Sequence, residues 1–174
     1  MMSFWADWLL LITLAVCAVT DWQRRKIYNA LIFPVLAAAL LLHAATGGWD
    51  GFLFGAAGFG VGAGLLLIPY ALGGIGAGDV KLLAAVGALK GASFVLSAAL
   101  AMGIIGGIMA MVVLCRSKGA RGIFTGFLYT IAARRHGVPV AAPSQGTAGG
   151  IALPYGIAIA GGTVAALVWG EWLV

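Results

Sequence analysis

The feature that most constrains this chain is the length of the gaps between its charges. The stretches 4–20, 28–45, 52–72, 93–114 and 151–169 carry almost no ionisable side chain. Several of them approach the roughly 20 residues that cross about 30 Å of hydrocarbon. With 63% hydrophobic and 9% charged residues, the polar surface of a soluble domain of this size cannot be built. The expectation is therefore an all-α, polytopic membrane protein. It is read as a bundle of about six transmembrane helices, forming one domain over 1–174.

Charge sets the threading. Arg24, Arg25 and Lys26 follow the first apolar stretch and place its end in the cytoplasm. The N-terminus, with Asp7, then faces outward, and Trp5 and Trp8 suit the outer interface. No basic run precedes this stretch, so it is expected to stay as a membrane helix and not to be cleaved as a signal peptide. The second stretch contains Pro34, which should kink it or mark a packing neighbour, and it emerges at the outer turn Thr46 to Gly51. His43, near that outer end, is given no role.

The third stretch returns inward. Its pairs Gly58/Gly62 and Gly60/Gly64, like Gly103/Gly107 later, have the four-residue spacing that lets helix backbones approach in lipid. No Lys-Ser or Lys-Thr follows these glycines, so they do not make a phosphate loop. The run Gly73 to Gly78 is too glycine-rich for a stable helix.

A short fourth segment, Asp79 to about Leu89, is expected to tilt less or to sit where the bilayer is thinned. Lys90-Gly91 reads as a turn. A single crossing from 79 to 114 would put the basic stretch Arg116, Lys118, Arg121, Arg134 and Arg135 on the outside. That stretch belongs to an expected cytoplasmic loop at about 116–150. Within it Ile123 to Tyr129 suits a short surface helix, and His136 a solvated interfacial position. The net charge of +5 falls in such loops, without the aromatic-interleaved patch of a nucleic-acid binder. Cys17 and Cys115 lie in apolar segments and suggest neither a disulfide framework nor a zinc site, and no metal or cofactor is implied.

This threading leaves nine of the ten basic residues on the cytoplasmic side, with Lys90 alone outside. Of the five acids, Asp7, Asp50 and Glu171 fall outside. Asp21 and Asp79 remain, at the end of one helix and the start of another, both at the cytoplasmic boundary. Taken singly, Asp79 reads as a helix cap and Asp21 as a partner for Arg24 or Arg25. Taken together they suggest chemistry, because ionisable groups at membrane depth are costly and two carboxylates in one site can hold a single proton between them. One can then activate a water while the other polarises a scissile carbonyl. Asp79, at the positive end of a helix dipole, suits the base, and Asp21, at a negative end, the acid. Gly76 and Gly78 leave room for an extended peptide to approach the backbone beside Asp79. Tyr155, in the irregular Pro154-Tyr155-Gly156, is expected to line a site rather than to face lipid.

These residues carry a resemblance. Gly76-Ala77-Gly78-Asp79 followed by Val80-Lys81-Leu82, with Asp21 upstream of Arg24-Arg25-Lys26-Ile27-Tyr28-Asn29, resembles the type IV prepilin peptidases, which are GxGD-type membrane aspartyl proteases. The likeness runs over essentially the whole chain and is nearest to the small, peptidase-only members that serve Flp/Tad-type pili. Leu153-Pro154-Tyr155-Gly156 also looks like that subgroup. Where the family commonly has Ile-Pro-Asn, this chain has Ile27-Tyr28-Asn29.

The resemblance implies that Asp21 and Asp79 are the catalytic pair, with Gly76, Gly78, Lys81, Asn29 and Tyr155 shaping the site or binding substrate. It implies that short basic leaders are cut from prepilins at the cytoplasmic face of a bacterial inner membrane, with pilus assembly machinery as a possible partner. The paired-cysteine domain that larger members use for N-methylation has no counterpart before Asp21, so peptidase activity alone is expected. Two other classes stay open. A non-catalytic subunit of a pilus or secretion assembly would leave both aspartates dispensable. A small proton-coupled transporter would use them as a relay, but they lie at the boundary rather than the midplane, and no inverted repeat is visible. Presenilin-like enzymes share Gly-x-Gly-Asp but pair it with a Tyr-Asp segment, which is absent here.

Overall fold

Helices account for every regular element of the computed structural model, which describes residues 2–24, 27–72, 74–116 and 155–170. They are α1 (Met2–Arg24), α2 (Asn29–Ala71), α3 (Ala77–Lys90), α4 (Ala92–Arg116) and α5 (Tyr155–Trp169). No strand occurs among the described residues. The loop expected at 116–150 lies, from residue 117 on, outside them. So do the expected surface helix at 123–129, His136 and Glu171.

Among the described residues three helical stretches are long and apolar enough to cross a membrane: Trp5–Arg24, Asn29–Ala71 and Ala92–Val112. The second is 43 residues long, but Gly48 within it has φ 60 and ψ −137, a backbone conformation that glycine adopts without steric cost. At that residue the helix doubles back. Gly51 lies against the backbone of His43, and Gly55 against Leu40, which makes two antiparallel arms, 29–47 and 49–71. The expected outer turn is thus a one-residue reversal. Pro34 and Pro69 both lie within helical backbone.

α3 is the axis of the bundle. Every residue from Leu82 to Leu89 is buried, as expected of a helix that is apolar all round. Asn29 and His43, on the first arm of α2, meet Lys81 and the Leu89 carbonyl, so that arm runs parallel to α3. The second arm runs antiparallel, with Gly58 against Gly87 and Gly62 against Leu83 and Ala84. A Cβ on either Gly58 or Gly87 would collide with the carbonyl oxygen of the other.

This arrangement explains the shortness of α3 better than bilayer thinning does. At 14 residues it is only about 21 Å long. Surrounded by protein, it has no hydrocarbon thickness to match. The packing also sorts the glycine pairs. Gly58 and Gly62 make the expected close approach. Among the described residues, nothing comes within 4 Å of a Cβ placed on Gly60, Gly64, Gly103 or Gly107. No described neighbour packs on the expected Gly103/Gly107 seam of α4. α5 meets α4 through Gly162 at Ala98 and Met102, and through Gly161 at Ile105. A four-residue spacing shows that a seam is possible on a helix, and only the neighbour selects the face.

Candidate active site

α1 and α3 run antiparallel, and that brings their acids to one end. Asp21 lies inside the last turn of α1, which continues to Arg24, and Asp79 lies in the first turn of α3. Each is 8% exposed, and the other buried polar residues among those described are Thr13, Ser97 and Thr163. The two carboxylates are near enough for their charges to interact.

Each carboxylate is held by a backbone N–H at the start of a helix. The N–H of Gly76 donates to Asp79 Oδ2 at 3.1 Å, which ties the glycine-rich entry loop back onto α3. This is the capping role that Asp79 suggests when it is taken alone. The N–H of Gly156, in the first turn of α5, donates to Asp21 Oδ2 at 2.9 Å. The dipole argument separated a base at a helix N-terminus from an acid at a helix C-terminus. With α5 docked on Asp21, both acids face the positive end of a helix, and that separation loses its ground.

Tyr155 precedes Gly156 and stands close enough to Asp79 for its phenol to sense that charge. Asp21, Asp79, Gly76 and Tyr155 therefore converge. Lys81 and Asn29 form a unit of their own beside them. Lys81 Nζ donates to Asn29 Oδ1 at 3.0 Å and lies 5.4 Å from the centre of the Phe33 ring. Gly78 faces Ile27, whose Cβ would stand 2.9 Å from any Cβ added to the glycine. Arg24 Nη1 donates to the hydroxyl of Tyr28 at 3.1 Å, on the chain that links α1 to α2.

Two neighbours of Asp21 were not singled out from the sequence. One is Gly156, where a Cβ would come within 2.7 Å of Asp21 Oδ2 and 3.0 Å of its Cβ, so no larger residue fits without displacing the acid. Its signal was present as a glycine in the first turn of the last apolar segment, but its partner is 135 residues away. The other is Cys17, one turn before Asp21 and fully buried, whose thiol senses the Asp21 charge. Among the described residues no three His, Cys, Asp or Glu side chains converge as metal ligands would. Two buried carboxylates with anchored oxygens can share a proton and hold a water between them.

Residues 8–111 fit the model of the type IV leader peptidase family. No curated protein and no solved structure matches the chain.

Proposed function

This chain belongs to the type IV leader peptidase family, and we propose that Asp21 and Asp79 form its catalytic dyad, making it an aspartic endopeptidase. The observation that carries the proposal is the convergence of two buried carboxylates from different helices, their charges interacting, each held by a helix-terminal N–H. Two unit charges 4 Å apart repel by about 4 kcal/mol at an effective dielectric of about 20, and one shared proton removes that repulsion. The ionised partner takes a proton from a water, which attacks the scissile carbonyl carbon. The protonated partner donates to the carbonyl oxygen as charge develops there. Collapse of the tetrahedral intermediate breaks the C–N bond, and a proton passes to the leaving amine. Because both acids face helix N-termini, base and acid are assigned to the pair and not to single residues.

The substrate class is taken from the family and from the resemblance of the motifs, and the side of cleavage from the charges around the site. We infer six crossings, with the two arms of α2 and the helices α1, α3, α4 and α5 alternating in direction. The N-terminus is then outside and the dyad at the cytoplasmic face of a bacterial inner membrane. Arg24 and Lys81 lie at the same end as the dyad. The substrate is a prepilin of the Flp type, cut after its short basic leader, and the product enters pilus assembly.

Co-expression with a tagged Flp-type prepilin tests this reading. Leader removal is followed by gel shift for the wild type, Asp21→Asn and Asp79→Asn at matched membrane levels. Cleavage is expected for the wild type alone. Cleavage surviving in both variants would make the chain a non-catalytic subunit, or turn the two acids over to proton relay.

A further inference from the structure

The seam between α1 and α3 has two ends, and the reaction proposed above uses only one. At the other end Lys90 Nζ donates to Asp7 Oδ1 at 2.6 Å. The same ammonium lies 5.3 Å from the centre of the Phe94 ring, a cation–π distance. The lysine side chain is 18% exposed and the aspartate 35%, so the pair is sheltered compared with an ordinary surface bridge.

Both pairs of charges lie on one stripe. Asp7, Leu10, Leu14, Cys17 and Asp21 succeed one another at spacings of three and four along α1, and Leu10, Leu14 and Cys17 are buried. On α3 the corresponding stripe is Asp79, Leu83, Val86 and Lys90, with Leu83 and Val86 buried. Asp7 lies about 21 Å along α1 from Asp21, and Lys90 about 17 Å along α3 from Asp79. The four-carbon stem of the lysine spans the difference of about 4 Å. α1 packs mainly on α5 and only sparsely on α3, so this ion pair is a large part of what joins the two helices that carry the acids.

We propose that Asp7 and Lys90 are a remote positioning pair that clamps α1 to α3 and so keeps Asp21 and Asp79 opposed. The two acids at the inner end offer each other no opposite charge, and the opposite charges at the outer end hold the helices together. The catalytic consequence rests on the dyad reading above, but the geometric one does not.

The full-length protein in lipid nanodiscs tests the clamp through Asp7→Asn, Lys90→Met and the exchange Asp7→Lys with Lys90→Asp. Two readouts are taken: prepilin cleavage rates, and the distance between spin labels on Gln23→Cys and Ala77→Cys with Cys17 and Cys115 replaced. Each single variant should lower kcat about two- to fivefold, leave KM unchanged and broaden the inner-end distance. The exchange should recover most of both losses, the remainder reflecting its reversed fit to the helix dipoles. Unaltered kcat and distance in the single variants overturn the proposal. So does an exchange that accumulates but recovers nothing. If the single variants fail to accumulate, accumulation of the exchange with a wild-type distance supports the clamp, and its failure to accumulate overturns it. If Asp21→Asn and Asp79→Asn still cleave, the dyad reading falls while a broadened distance in the clamp variants still stands.

Discussion

The two ends of the α1–α3 seam use the same kind of residue for opposite purposes. At the end away from Asp21 and Asp79 an aspartate meets a lysine, and the contact holds the helices together. His43 adds to that end by bonding the Leu89 carbonyl at 3.1 Å, while Phe54 closes on the Gly91 turn, whose φ is 90. At the other end two aspartates come near enough for their charges to interact, and as anions they would repel. A bundle selected for stability alone would put an ion pair or two apolar residues there. The ion-pair end is what packing favours, and the two-acid end is an arrangement that packing tolerates because each acid receives a backbone N–H.

Changes that break this contrast are expected to rank as follows. Replacing either inner acid by asparagine removes the shared proton while keeping shape and hydrogen bonding. Prepilin cleavage should fall about 10³-fold with unchanged thermal stability in detergent. Gly156→Val is next, because its side chain displaces Asp21 and not a flexible neighbour. Overpacking of about 1–3 kcal/mol translates into roughly a ten- to hundredfold loss of cleavage, measured against membrane abundance. Gly58→Leu works on the framework instead. It forces the second arm of α2 off α3, and the melting temperature in detergent should drop by the equivalent of about 1–3 kcal/mol. Gly60→Ala has the same four-residue spacing to Gly64 but meets no described neighbour, and its stability should stay within about 0.5 kcal/mol of wild type in the same melt. A Gly60→Ala melt that matched Gly58→Leu would show that the α2–α3 contact does not sort the glycines as described.

The sequence by itself determined the helical, membrane-embedded class and most element boundaries. Apolar run length and glycine breaks are local properties, so the turn over Thr46–Gly51, a break before α3 and the Lys90-Gly91 turn could be read directly, although α3 begins at Ala77 and not at the expected Asp79. It also singled out Asp21 and Asp79 as candidates, because acids are so few that charge threading leaves two on one side.

Only the tertiary structure decided what surrounds them. The burial of α3 on all sides, the choice of Gly58 and Gly62 over Gly60 and Gly64, the Asp7–Lys90 contact and the docking of Gly156 on Asp21 all depend on which helix is the neighbour and at what rotation. A uniformly apolar helix carries little amphipathic signal to announce its orientation, because lipid and protein interior are alike to its side chains. For the same reason the sequence could suggest that two carboxylates share an end of the bundle. The bond from Gly76 to Asp79 is local, but that Asp21 is held by the start of α5 was settled by packing over a separation of 135 residues.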